Sequence, residues 1–510
     1  MAYYLGIDVG TSGTKTLLMD PRGRVLATAT APHTVQSPKP GYSEQNPQQW
    51  WQATCKAVRE VIKKAKIDGR QIAGIGPDGQ MHGLVCLDKN GEVLRPAIIW
   101  NDQRTADQCE FIERKAGGKA RLIQMVGNIA LTSFTLTKLL WVKQHEPKVY
   151  GKIAHMLLPK DYVRLRLTGE YAGDVTDMSG TLMLDQRKRD WSGPMLNLFG
   201  IDRDILPKVY ESQQITGTVT KAVAQQLGLA EGTPVVGGGG DQPVGAVGNG
   251  IVAEGLVSAT LGTSGVVFVH SHKYITDPQG RVQTFCSSVA GQYCLFGCVL
   301  AAGGSFQWFR NHLAPAEIAQ ARRKKIDPYE LLTRQAQSAP PGCEGLFWLP
   351  YLTGERTPHA DASARACWIG ITQRTSRNEL IRSVLEGATY AMNDSVTIFR
   401  ERGLKPRQIR LSGGGARSDF WRQLQADIYN TGCGTINCEE GPAYGAAILA
   451  AVGTGRFKGV PEACKAIIKV VRTIKPNAKA ARLYGKLYDE YRRLYPALKC
   501  EFTNIAKLPG

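Results

Sequence analysis

The tetrapeptide Gly-Thr-Ser-Gly stands at residues 10–13 and returns at residues 262–265, about half a chain away. Strand-like runs flank both copies. Tyr3 to Val9 and Thr14 to Asp20 surround the first, and Gly255 to Leu261 and Val266 to His270 surround the second. A strand–turn–strand unit repeated at this spacing predicts two similar α/β domains. The length agrees, because 510 residues exceed what one core comfortably serves. The expected division is an N-terminal domain over residues 1–251, a C-terminal domain over 252–475, and a terminal helix over 476–510 that packs back on the body.

Local signals fill in the elements. Asn46 is placed to cap a helix that has Pro47 in its first turn and Trp50, Thr54, Val58 and Ile62 along one face. Gln71 to Ile75 reads as a short strand ending in Gly76-Pro77-Asp78-Gly79. Ser376 and Glu379 form a capping-box pattern ahead of an apolar stripe, which we read as core. Ile409 to Leu411 is a strand opening into Ser412-Gly413-Gly414-Gly415. The small apolar run Ala446 to Val452 reads as a buried helix.

Several classes of function are set aside by composition. With 43% hydrophobic and 21% charged residues, the chain is expected to fold. A net charge of +19 suits an anionic partner, but the basic residues are dispersed, and runs such as Arg322 to Lys325 are short and lack interleaved aromatics. No nucleic-acid partner is expected. The 12 cysteines include no CxxC pair, which argues against structural zinc and for a reducing cytoplasmic setting. There is no signal-peptide pattern and no apolar run of about 20 residues, so no membrane span is expected.

The candidate chemistry lies in the glycine turns and the carboxylates beside them. Glycine lets backbone N–H groups approach a phosphate closely. The two repeated turns, with Thr11, Thr14 and Lys15 at the first and Gly262 and Thr263 at the second, fit a two-sided phosphate clamp; either alone is equally a plain hairpin turn. No Walker motif is present. Asp8 ends the first strand, where it either supports Mg²⁺ or caps its own turn. Pro234 to Gly240 runs into four glycines and then Asp241, at the kind of strand end where open α/β sheets bind ligands. A carboxylate there suits the base of a phosphoryl transfer, the alternative being an ordinary helix cap. Met81 and His82 between glycines, and Trp100 with Asn101, suit a polyol, although a lone His or a surface amide is as often structural.

Taken together, Ile7-Asp8, the segment Ser133 to His145, the segment Ala366 to Glu386, and Gly79 to Gly83 with Trp100-Asn101-Asp102 resemble the FGGY carbohydrate kinase family over most of the chain. The resemblance implies an actin-like ATPase fold, with two ribonuclease-H-like domains about a central cleft, sugar held by the first and ATP by the second. It implies ATP and Mg²⁺ as cofactors, and phosphorylation of a ketose, D-xylulose, to D-xylulose 5-phosphate. Asp241 would be the base, Met81, His82, Trp100 and Asn101 would hold the sugar, and Asp8 and Asp241 would lie at Mg²⁺. Thr11, Thr14, Lys15, Gly262 and Thr263 would serve the phosphates, and Gly303, Gly304, Gly413 and Gly414 the adenosine. Ribulose, fuculose or glycerol is the alternative acceptor, and a non-enzymatic nucleotide switch the alternative class. The oligomeric state is open, a homodimer being a common state of such enzymes.

Overall fold

The computed structural model describes residues 2–508. The first half is built on a seven-stranded sheet. Its strands are β1 (Tyr3–Val9), β2 (Gly13–Met19), β3 (Val25–Pro32), β4 (Ile72–Gly79), β5 (Ile215–Thr218), β6 (Pro234–Val236) and β7 (Gly239–Gly240). Their order is β5-β6-β4-β1-β2-β3, with β7 also on β4. The second half repeats the scheme with β8 (Leu256–Leu261), β9 (Gly265–Ser271), β10 (Gln283–Cys286), β11 (Tyr293–Val299), β12 (Gln408–Ser412), β13 (Cys433–Ile436) and β14 (Val470–Ile474), ordered β10-β11-β9-β8-β12-β13-β14.

The internal repeat is visible strand by strand. β1 pairs antiparallel with β2 and parallel with β4, as β8 pairs antiparallel with β9 and parallel with β12. Each Gly-Thr-Ser-Gly sequence forms the tight connection of the leading hairpin, and the edges close with antiparallel β5 and β14. Two such halves constitute the actin-like ATPase fold.

Eight helices matter for the site: α1 (Pro47–Ala65), α2 (Thr135–His145), α3 (Asp241–Gly248), α4 (Ala302–Leu313), α5 (Arg377–Glu401), α6 (Asp419–Tyr429), α7 (Gly441–Gly453) and α8 (Ala478–Ile505). Local chemistry sets the ends of two of them. Asn46 caps α1 through the Gln48 N–H, and Ser376 with Glu379 forms a complete capping box on α5. One expected boundary fails: the strand does not stop at Ile75, because Gly76-Pro77-Asp78-Gly79 continues β4, in register with β1 through Val9 opposite Gly79. Pro77 is tolerated because it lies opposite the break between β6 and β7, where one ladder is interrupted.

Side chains alternate across β1, so Leu5, Ile7 and Val9 join the core that holds Trp50 and Val58 of α1. The other face is bare at Gly6, Gly74 and Gly76, and α7 lies directly on it. A Cβ at Gly6 would overlap the carbonyl of Ala443, and one at Gly76 the carbonyl of Ala446. α7 also crosses α3 closely, a Cβ at Gly445 overlapping the Val244 carbonyl. A helix from late in the chain thus covers the first sheet. No helix is long and apolar enough to cross a membrane among the described residues.

Candidate active site

Three carboxyl groups converge at one end of the first sheet. Asp8 and Asp78 are register partners in β1 and β4, and Gly239-Gly240 of β7 runs beside Asp78-Gly79, delivering Asp241 to the first position of α3. Gly74 and Gly76 meet α7 progressively nearer its start, so Asp78, next on that face, lies toward the N-terminal end of the helix, where a negative charge is favoured. Asp78 is fully buried, and among the described residues no N–H or O–H donor reaches either of its oxygens. Burial and the charges of Asp8 and Asp241 drive its pKa well up. Burial likewise raises Asp8 to about 6, against the pull of Asp78 and Lys15. Burial and then the Asp8 charge raise Asp241 to about 7.

The run of four glycines before Asp241 has a steric cause. Gly238 adopts a left-handed φ of 69° and fits so tightly that a Cβ would overlap the Pro77 carbonyl. At Gly240 a Cβ would stand 2.7 Å from Cγ of Met81, so Met81 packs immediately beside the Asp241 backbone. The Gly240 N–H is held by Thr176 Oγ1 at 3.0 Å, and Thr176 in turn donates to Asp174 at 2.6 Å. Asp241 does not act as a helix cap: Gly240 occupies that position and no side-chain cap bond is formed.

His82 sits beside this floor with φ at 71°, an uncommon conformation for a bulky residue. α2 supplies its support, because the His82 carbonyl accepts from Thr135 Oγ1 at 3.1 Å and from Lys138 Nζ at 2.9 Å. The segment Ser133 to His145 therefore acts by fixing the backbone of His82. Its ring packs edge-on to Phe134 and Phe285, with centroids 4.9 and 5.8 Å away. Burial, with Lys138 and Arg356 nearby, holds the imidazole well below its ordinary pKa, so it is neutral at pH 7. Burial also lowers Lys138 to about 7.

The first glycine turn is braced from within the same half. Trp100 Nε1 donates to Thr11 Oγ1 at 2.9 Å, and Gln45 Nε2 donates to the Thr11 carbonyl at 2.7 Å. Thr14 is buried with no partner for its hydroxyl among the described residues, and Lys15 is ion-paired with Glu440 at the start of α7. Asn101 lines a groove with residues 37–43.

Around the second turn a cavity of about 710 Å³ opens, lined by Gly262, Thr263, Gly303 and Gly414, with Phe306 and Trp421 as aromatic wall. The N–H groups of Gly303 and Gly304 are already committed, to the carbonyls of Gly262 at 3.0 Å and Thr263 at 2.9 Å. These two glycines clamp α4 against the turn. Gly413, with φ 78°, plays a similar part, since a Cβ there would stand 2.6 Å from the Leu261 carbonyl. The structure thus gathers Asp8, Met81, His82 and Asp241 on one side and Gly262, Thr263, Gly303 and Gly414 on the other. Asp78, Lys138 and Arg356 escaped sequence reasoning. Asp78 becomes legible only through its register with Asp8.

The comparisons with known proteins agree along the whole chain. Residues 3–248 match the N-terminal domain of the FGGY family of carbohydrate kinases, and residues 257–454 match its C-terminal domain. A xylulose kinase of Bacillus subtilis is 40% identical over 499 residues, covering 98% of both chains. A Brucella ovis xylulose kinase structure superposes with a TM-score of 0.89 at 32% identity, covering 98% of this chain and 99% of that one. A gluconate kinase structure from Lactobacillus acidophilus gives a TM-score of 0.92 at 27% identity, covering 99% of each.

Proposed function

The chain belongs to the FGGY family of carbohydrate kinases, and on that premise we propose that it transfers the γ-phosphoryl group of ATP to the terminal hydroxyl of D-xylulose, giving D-xylulose 5-phosphate. The full-length likeness to xylulose kinases supports this acceptor. The kinase family sets aside the non-enzymatic nucleotide switch. The reading rests above all on Asp241, a half-buried carboxylate beside Met81 with a pKa of about 7, close to where a general base works best.

In this mechanism the sugar lies against Met81 and His82. The neutral imidazole hydrogen-bonds a hydroxyl, and Asp241 takes the proton of the attacking oxygen as the new P–O bond forms. The nucleotide occupies the cavity at Gly262 and Thr263, and Phe306 and Trp421 suit the adenine. A cation fits the carboxylate floor. Among the described residues no three His, Cys, Asp or Glu side chains are arranged to cage a metal alone. Mg²⁺ needs only one or two carboxylates when phosphate and water complete its shell. Asp78, with two donor-free buried oxygens, and Asp8 beside it suit that demand. Mg²⁺ held there would neutralise phosphate charge. We place the sugar-binding unit at residues 1–251 and the nucleotide-binding unit at 252–475, with the reaction in the cytoplasm, where free cysteines persist.

Asp241→Asn is expected to lower kcat by about 10²–10⁴-fold while ATP affinity holds. Wild-type kcat/KM should rise with pH through about 7, because the base works only when ionised. Near wild-type turnover by Asp241→Asn would refute the role. The likeness to a gluconate kinase favours testing a second acceptor class. A coupled ADP-release assay with D-xylulose, ribulose, fuculose, glycerol and gluconate separates them, and a peak on another acceptor overturns the substrate while leaving the kinase.

A further inference from the structure

In the second half of the chain one segment, residues 351–361, packs beside the second Gly-Thr-Ser-Gly turn. Its backbone is tied to the end of β11. Thr357 donates its N–H to the Cys298 carbonyl at 3.1 Å, and its Oγ1 accepts the Cys298 N–H at 3.0 Å. Glu355 Oε1 accepts the N–H groups of Leu300 at 3.0 Å and of Arg356 at 2.7 Å. Leu300 follows Val299, which is the register partner of Gly265 in the second Gly-Thr-Ser-Gly turn. The segment therefore lies against the phosphate turn.

Its far end is fixed as firmly. Glu355 and Asp361 exchange backbone hydrogen bonds of 2.8 Å. The His359 ring stacks on Tyr495 of α8, with centroids 3.5 Å apart and planes at 12°, and Tyr495 donates its hydroxyl to Asp361 at 2.7 Å. A short segment anchored at both ends holds whatever it projects in one place.

What it projects is Arg356. This side chain is half-buried, and the residue's hydrogen bonds run through its backbone, to Glu355 and from Ala360. Glu355, the adjacent carboxylate, is turned back onto the Leu300 and Arg356 N–H groups and forms no ion pair with the guanidinium. The charge of Arg356 nonetheless bears on His82 and Lys138 of the first half, and both Arg356 and Asp241 act on Cys298 between them. A guanidinium with no ion pair among the described residues thus stands between the nucleotide turn and His82. Five N–H donors in a planar fork match the oxygens of a phosphoryl group.

We propose that Arg356 is a catalytic residue that holds the phosphoryl group as it crosses from nucleotide to sugar. The proposal rests on the kinase reading above. The bond from the γ-phosphorus to the ADP oxygen breaks, the bond to the sugar oxygen forms, and the hydroxyl proton passes to Asp241. Arg356 changes no bond; it donates N–H groups to the non-bridging oxygens, whose charge is stabilised in the transition state.

The test uses the full-length Arg356→Gln and Arg356→Lys variants, with thermal midpoints checked against wild type. The Gln variant is expected to lose about 100-fold or more in kcat, with KM for sugar and ATP within about threefold, and the Lys variant to lose less. By calorimetry, the Gln variant should bind D-xylulose 5-phosphate about tenfold more weakly and D-xylulose unchanged. A raised sugar KM with kcat preserved, or equal loss for both sugars, would make Arg356 a hydroxyl contact and overturn the proposal, as would unchanged kinetics. If the acceptor panel selects another sugar, that sugar and its phosphate ester replace the pair, so an error in the acceptor stays separate from an error about Arg356.

Discussion

Asp8, Asp78 and Asp241 bring three carboxyl groups together where β1 and β4 end and α3 begins. All three are displaced upward in pKa, Asp8 to about 6, Asp241 to about 7 and Asp78 well above the ordinary range. An unfolded chain loses these protons near pH 4. Between that pH and about 7 the folded state therefore binds more protons than the unfolded state, and stability falls as pH rises through this window. Asp78→Asn removes the most buried of these ionisable groups. We expect it to stabilise the protein at pH 8 by on the order of 1 kcal/mol or more, and to give little gain at pH 4, as read by urea unfolding at both values. Its kcat should fall at the same time, since strain of this kind serves the site. At this scale the sequence was half legible. Asp8, His82 and Asp241 stand out because each lies at a strand end beside glycines. Asp78 was hidden because its meaning depends on its neighbour in register, and Arg356 because a lack of partners can be seen only in three dimensions.

Elements were legible where local chemistry decides them. The Asn46 cap and the Ser376–Glu379 box fix the starts of α1 and α5 from a few adjacent residues. The prediction failed at Gly76-Pro77-Asp78-Gly79, where turn-forming residues are held extended by pairing with β1 along the full strand. Tertiary pairing outweighed local preference there. The contact between α3 and α7 was likewise invisible, since it needs glycine at positions that read as ordinary helix interior. Gly445→Ala places a methyl group on the Val244 carbonyl, and the Gly248 N–H is only 2.9 Å from the same point. The improved helix propensity, about 1 kcal/mol, cannot offset that overlap. We expect a net loss of roughly 1–3 kcal/mol, measured as a lower urea midpoint at unchanged slope.

Across the whole molecule the repeat at residues 10–13 and 262–265 announced two like halves, and the sheets follow the same pairing scheme. The way the halves are joined was not announced. α7 is buried on every side, with Ala443, Tyr444, Ala446, Ala447, Ile448 and Leu449 all inaccessible, because it lies between the first sheet and α3. A fragment of residues 1–251 lacks this cover and exposes Gly6, Gly74, Gly76 and the core around them. Such a fragment is expected to lose near-ultraviolet circular dichroism and to bind a hydrophobic dye, as a collapsed chain without fixed packing does. A cooperative, dye-free fragment would show that the cover is dispensable. The same helix sets a timetable for the newborn chain. Roughly 200 residues separate β7 from α7, so at ordinary rates of translation the first sheet waits roughly 10–40 s on the ribosome for the helix that seals it. For that interval the nascent protein presents an unsealed apolar face, the kind of surface on which chaperones act.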